Sequence, residues 1–133
     1  MPFCCEGSID WYMGRRRIKM SDCLFCKIVN REVPSKAVYE NDKVYAFYDI
    51  NPEAPVHVLI VPKQHICCHN ELTADNVDIM KDIHLAAKEV AKLTGIAESG
   101  YRLITNCGPD SGQTIFHLHY HIVGGAPMGT KIL

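Results

Sequence analysis

Three histidines recur at alternate positions near the C-terminus, in the run His117-Leu118-His119-Tyr120-His121. The residues between and after them, Leu118, Tyr120, Ile122 and Val123, are apolar or aromatic, which predicts a β-strand over residues 116–123. Side chains on a strand alternate faces, so the three imidazoles would share one face at a spacing of roughly 7 Å. Imidazole is the side chain best suited to act as base, nucleophile or metal ligand near neutral pH, and three on one face are costly to bury without such a use. Just upstream, the segment from Asn106 to Thr114 contains Gly108 and Gly112, which can turn backbone N–H groups toward an anion. Gln113 and Thr114 add side-chain donors there. Directly before aligned imidazoles, such a loop reads as an oxyanion or phosphate cradle. Far from it in sequence, Cys23-Leu24-Phe25-Cys26 places two thiols at a spacing that can chelate one ion.

Several elements must bring these groups together. Residues 24–31 read as a short helix ended by Pro34. Residues 37–40 and 44–48 read as strands around the turn Asn41-Asp42, and residues 56–61 as a buried apolar strand carrying His57 and stopped by Pro62. Residues 74–94 have the longest helical period, with Thr73 or Asp75 as cap and Gly95 as stop. Residues 101–106 and the histidine run complete the strands. Grouped strands crossed by one long helix give an α+β class with a mostly antiparallel sheet.

The 133 residues suffice for one domain with a substantial core. A net charge of -1 argues against a general nucleic-acid or anionic-membrane binder. No apolar stretch approaches the length of a membrane span, and the N-terminus lacks the apolar core of a secretory signal. Seven cysteines, an odd number with two adjacent pairs, fit a reducing cytoplasm better than a disulfide framework. Residues 1–19 carry Arg15, Arg16, Arg17 and Lys19 and show no clear period, so they are expected to be a disordered extension or a foreign leader. Residues 20–133 are then the domain.

The run from Gly112 to Gly125 resembles the signature of the histidine-triad nucleotide-binding proteins, in particular their Hint branch. The resemblance extends over residues 24–125 and includes Phe47-Tyr48-Asp49-Ile50, Ala54-Pro55-Val56-His57 and Pro62-Lys63-Gln64-His65-Ile66. It implies a five-stranded sheet with one long and one short helix, joined into a ten-stranded sheet in a homodimer. It also implies cleavage of nucleoside 5'-phosphoramidates through a covalent nucleotidyl-histidine intermediate. By position, His119 is then the nucleophile, largely neutral at pH 7 with one nitrogen free to attack. His121 would contact the non-bridging phosphate oxygens, and His57 would support His117, His119 and His121. Thr114, where the Hint branch commonly has Ser, would hydrogen-bond the leaving group. Gly112 and Gln113 would hold the phosphate, with Asn106 on the phosphate or ribose side. Asp49 would accept both ribose hydroxyls. Leu24, Phe25, Ile28, Val33, Phe47 and Ile50 would form an apolar slot for a purine base, with weak discrimination among purines.

Zinc wants four ligands, and the thiol pair gives two. His65 and His117 are candidates for the others, with Cys67 and Cys68 as rivals. The resemblance implies the set Cys23, Cys26, His65 and His117 around a structural zinc, while unbound thiols or a redox pair remain alternatives. Other functional readings are a dinucleoside polyphosphate hydrolase, which Gly124-Gly125 opposes, a non-catalytic purine-nucleotide scaffold, and a three-histidine metal site in a small barrel.

Overall fold

The computed structural model describes residues 22–133 throughout. Upstream it describes three short antiparallel strands, β1 (Cys5–Glu6), β2 (Asp10–Met13) and β3 (Arg16–Lys19). The remainder of the stretch read as a leader lies outside the described residues.

The main body opens with the helix α1 (Leu24–Val29), followed by β4 (Ala37–Glu40), β5 (Val44–Tyr48) and β6 (Val56–Pro62). The long helix α2 (Ile79–Leu93) then precedes β7 (Tyr101–Ile104) and β8 (Tyr120–Gly124). The five strands form one antiparallel sheet in the order β4-β5-β6-β8-β7. The α+β class and the strand count match the expectation.

Strand alternation sorts this sheet into two faces. Val44 and Ala46 of β5, Val58 and Ile60 of β6, and Tyr120 and Ile122 of β8 pack with Ile83, Ala87 and Val90 of α2. On the opposite face, Tyr45, Phe47, Leu59 and Val61 pack with Phe25 and Ile28 of α1. His57 and His121 belong to this second face, since they alternate with Val58 and with Tyr120 and Ile122 along their strands.

Two boundaries differ from the sequence reading by four residues or more. The helix expected from residue 74 begins at Ile79. Asn76 Oδ1 accepts from Thr73 N–H, Thr73 Oγ1 accepts from Asp75 N–H, and Ile79 and Met80 close short turns onto Asn76 and Val77. Local side-chain bonds therefore replace the first helical turn. The strand expected over residues 116–123 starts only at Tyr120, which pairs with Ile60. Pro62 has no N–H to extend that ladder. Leu118 N–H turns to Ile66 O, His119 Nδ1 donates to His117 O, and Thr105 Oγ1 donates to His119 O. His117 and His119 thus lie on an extended lead-in whose backbone is satisfied mainly by side chains.

Candidate functional site

The residues predicted to act on a nucleotide meet in one cleft of about 580 Å³ between α1 and the sheet. Its walls include the apolar residues Leu24, Phe25, Ile28, Val33, Phe47 and Ile50. Across from them stand Asp49, His57, His119 and His121, and the loop adds Asn106, Gly112, Gln113 and Thr114. His117 does not line this cleft. Its ring is turned toward the thiol pair, so the three imidazoles do not point one way as the alternation alone suggests. The rings of His119 and His121 stand 5.1 Å apart, and the His119 ring also lies edge-on to Phe25 at 5.0 Å.

Hydrogen-bond partners assign the tautomers. His119 Nδ1 lies 2.7 Å from the carbonyl of His117, which can only accept. Nδ1 therefore carries the proton, and Nε2 keeps its lone pair. The backbone N–H of Glu53 donates to His57 Nδ1 at 3.0 Å, so the proton of neutral His57 sits on Nε2. That nitrogen faces His121 Nδ1 at 2.8 Å and Asp49 Oδ2 at 3.5 Å. His121 Nδ1 accepts, which leaves its own proton on Nε2.

Burial keeps the rings of His119 and His121 neutral. Burial lowers the pKa of His119, against the opposing hydrogen bond to the His117 carbonyl. Burial, followed by the neighbouring His119 and His57, lowers His121 to about 4. The site thus offers a buried nitrogen lone pair on one ring and an N–H donor on the next. A lone pair attacks an electrophilic centre, and an adjacent donor steadies the oxygen that gains charge.

The loop before the histidines is held differently from the expectation. Gln113 lines the cleft, but its carboxamide is turned inward. Nε2 donates to Cys67 O at 3.1 Å and to Ile115 O at 3.2 Å, while Oε1 accepts from Gly108 N–H at 3.0 Å. The side chain shapes the loop instead of offering donors to an anion. Gly108 and Gly112, at φ of 94° and 82°, adopt left-handed conformations that favour glycine. Thr114 remains exposed at the mouth. Asp49 follows β5, with its N–H bonded to His57 O and Oδ1 accepting from Asn51 N–H at 2.8 Å.

Cys23, Cys26, His65 and His117 converge at the base of α1, with their ligand atoms within 4.8 Å of one another. Cys26 Sγ lies 3.2 Å from His65 Nδ1 and 3.5 Å from His117 Nδ1. Cys23 Sγ to His117 Nδ1 is 3.4 Å, and the two Nδ1 atoms are 3.2 Å apart. A tetrahedral ion with Zn–S near 2.3 Å and Zn–N near 2.0–2.1 Å has N–N and N–S edges of roughly 3.3–3.6 Å. The four groups therefore fit a tetrahedral zinc. His117 Nε2 donates to Pro62 O at 2.8 Å, which leaves Nδ1 as the ligating lone pair. The Cys23 thiol is held at about 2, first by Cys26 and then by His117 and His65, against the upward push of burial.

Some lining residues carry no signal in the sequence. Glu53 enters through its backbone N–H, and Ser35 joins the walls from a segment read only as connection. His69 and His84 lie outside the cleft, and the ring of His84 rests against Tyr120.

The five-stranded sheet and the cleft between it and α1 define an α+β domain built around a histidine site. The chain belongs to the HIT domain family, whose model matches residues 30–128. A purine nucleoside phosphoramidase of Escherichia coli is 43% identical over 111 residues, covering 84% of this chain and 93% of that protein. A 14 kDa zinc-binding protein of Zea mays is 43% identical over 115 residues, covering 85% and 89%. Among solved structures, a HIT family hydrolase from Clostridium thermocellum is 60% identical, with a TM-score of 0.83 over 84% of this chain and 97% of that one.

Proposed function

We propose that this chain is a nucleoside phosphoramidase that cleaves purine nucleoside 5'-phosphoramidates through a covalent intermediate on His119. The observation that carries the reading is the His119 Nδ1 bond to the His117 carbonyl, which leaves Nε2 unprotonated at the cleft. In the first step Nε2 attacks the α-phosphorus and the P–N bond to the amine breaks. The amine leaves with a proton that solvent supplies and the Thr114 hydroxyl relays, and the water that attacks in the second step returns one proton to solvent. In the second step water attacks the same phosphorus, the P–N bond to His119 breaks, and the nucleoside monophosphate departs. His121 Nε2–H donates to a non-bridging oxygen in both steps. Asp49 accepts from the ribose hydroxyls, and the apolar wall on α1 and β5 takes the base. The similarity to a protein named purine nucleoside phosphoramidase supports the choice of substrate.

Zinc at Cys23, Cys26, His65 and His117 completes the reading, supported by the fit of the four ligand atoms and by the zinc-binding relative. Its four protein ligands leave no open position, so it would fasten α1 to the sheet. Residues 20–133 are the functional unit in this proposal, and a reducing compartment, the cytoplasm, suits its thiol ligands. A homodimer is supported by β7, which lies at one edge of the sheet, and by the exposed Leu85, Leu93 and Ile104. No helix among the described residues is long and apolar enough to cross a membrane.

The test is rapid mixing with adenosine phosphoramidate followed by intact-protein mass spectrometry. Wild type should gain one nucleoside monophosphate transiently and release AMP, and His119→Ala should do neither while still binding AMP. AMP binding by both proteins without adduct or release would favour the scaffold reading instead.

A further inference from the structure

The cleft that would receive a phosphoryl group has no Lys or Arg among its described lining residues. Its acidic side chains are those of Asp49 and Glu53. Glu53 is exposed, so solvent screens it. Lys36 stands exposed outside the lining, with Nζ 5.2 Å from the centre of the Tyr48 ring. Asp49 is held more closely. Its side chain is only 20% exposed, and Oδ2 lies 3.5 Å from Nε2 of the buried His57. Its N–H bonds to His57 O, and Oδ1 accepts from Asn51 N–H at 2.8 Å. The carboxylate is thus fixed at one end of a row of rings that runs from His57 through His121 to His119, with neighbouring centres 5.1 Å apart. Its charge already favours the protonated form of His121, against burial.

The proposed reaction changes the charge of this site. The substrate enters as a monoanion beside a neutral ring. When His119 Nε2 takes the phosphorus, the P–N bond to the amine breaks, and the amine departs neutral with a proton from solvent. The ring then carries phosphorus on Nε2 and its own proton on Nδ1, so it is a cation, while the phosphoryl group keeps its single negative charge. The His117 carbonyl accepts the Nδ1 bond but cannot take the proton. A cation formed in a buried position is costly unless an opposite charge faces it.

We infer that Asp49 is the counter-charge for the phosphorylated His119 ring, a role apart from any contact with ribose. The inference rests on the covalent reading above. One fixed charge a few side chains away in a partly buried site is worth about fivefold to fiftyfold in the rate of forming such a cation.

The experiment is rapid-quench mass spectrometry of the full chain with adenosine phosphoramidate and with its 2',3'-dideoxy analogue, which has no ribose hydroxyl for Asp49 to accept from. Wild type, Asp49→Asn and Asp49→Glu are compared for the rate of adduct formation at saturating substrate. On the dideoxy analogue Asp49→Asn should still be about fivefold to fiftyfold slower than wild type, while its affinity for 2',3'-dideoxy-AMP changes little. Asp49→Glu keeps the charge and should recover most of the rate. Equal rates for wild type and Asp49→Asn on the dideoxy analogue would overturn the inference and leave Asp49 a ribose binder alone. Equal losses in the Asn and Glu variants would overturn it too, since shape and not charge would then be what matters. Absence of any adduct in wild type with either substrate would instead remove the covalent reading beneath it.

Discussion

His57 Nε2 donates to His121 Nδ1 across 2.8 Å, and the sense of that bond is set by the backbone N–H of Glu53 on the far side of the His57 ring. A peptide N–H cannot accept, so the chain of protons runs one way, from Glu53 through His57 to His121 Nε2. His57 is thus a positioning residue for His121 and need not touch a substrate. His57→Ala should lower kcat by about tenfold to a hundredfold while leaving KM nearly unchanged, since the donor is misoriented but the base slot is intact. His57→Gln, which can donate from its amide, should recover part of the loss. A KM effect as large as the kcat effect would show that His57 contacts the substrate instead.

Protonation of His119 removes the lone pair that attacks. Because burial depresses its pKa below the ordinary 6.5, kcat/KM should hold as pH falls through 6.5 and decline only at lower pH. A pH–rate profile on a phosphoramidate whose own groups do not titrate in this range checks the position of the limb. An acid limb centred above 6.5 would contradict the burial argument.

The same shifts couple to stability. His121 titrates at about 4 in the folded chain against 6.5 for an ordinary histidine. Between those values the unfolded chain binds the proton and the folded chain does not, so stability falls as pH falls through that window. Urea midpoints should therefore decrease from pH 7 to pH 4.5, less steeply in His121→Gln. A midpoint that stayed level in wild type would mean that the ring is better solvated than its packing indicates.

Metal content separates the zinc reading from unbound thiols. Native mass spectrometry should find one zinc per chain, and a strong chelator should lower Tm by roughly 10–20 °C, because metal binding is coupled to folding. Cys26→Ser should reproduce most of that loss without chelator. If chelator moved neither mass nor Tm, the four groups would be holding each other through hydrogen bonds alone.

The sheet was legible because strand alternation divides residues between two faces, whereas the grouping of Asp49, Asn106 and the apolar residues of α1 with His119 came only from the family resemblance. Val58 and Ile60 against His57 and Leu59 in β6, like Tyr120 and Ile122 against His121 in β8, is a pattern visible without coordinates. The late start of β8 was not legible, because it depends on Pro62 of a different strand, which has no N–H for the ladder and whose carbonyl takes the His117 side chain. Gln113 looked like a phosphate donor for a related reason. Its polarity is plain in the sequence, but its partners Cys67 and Gly108 are brought to it only by the fold. Glu53 was invisible because its contribution is a backbone N–H, which every residue except proline possesses.

Thr105 gives the last expectation. It follows the end of β7, and its Oγ1 donates to the carbonyl of His119 at 2.9 Å. Two bonds therefore locate the proposed nucleophile: its ring is tied to the His117 carbonyl and its backbone to Thr105. Valine matches threonine in shape but leaves that carbonyl without its donor, at a cost of about 1–3 kcal/mol if no water replaces it. Thr105→Val should lower kcat by about threefold to thirtyfold through displacement of Nε2 from its line of attack. AMP affinity should change little, because the base and ribose groups are untouched. Ser at this position restores the donor and should restore kcat. If Thr105→Ser were as slow as Thr105→Val, the methyl group's packing and not the hydrogen bond would be what holds His119 in place.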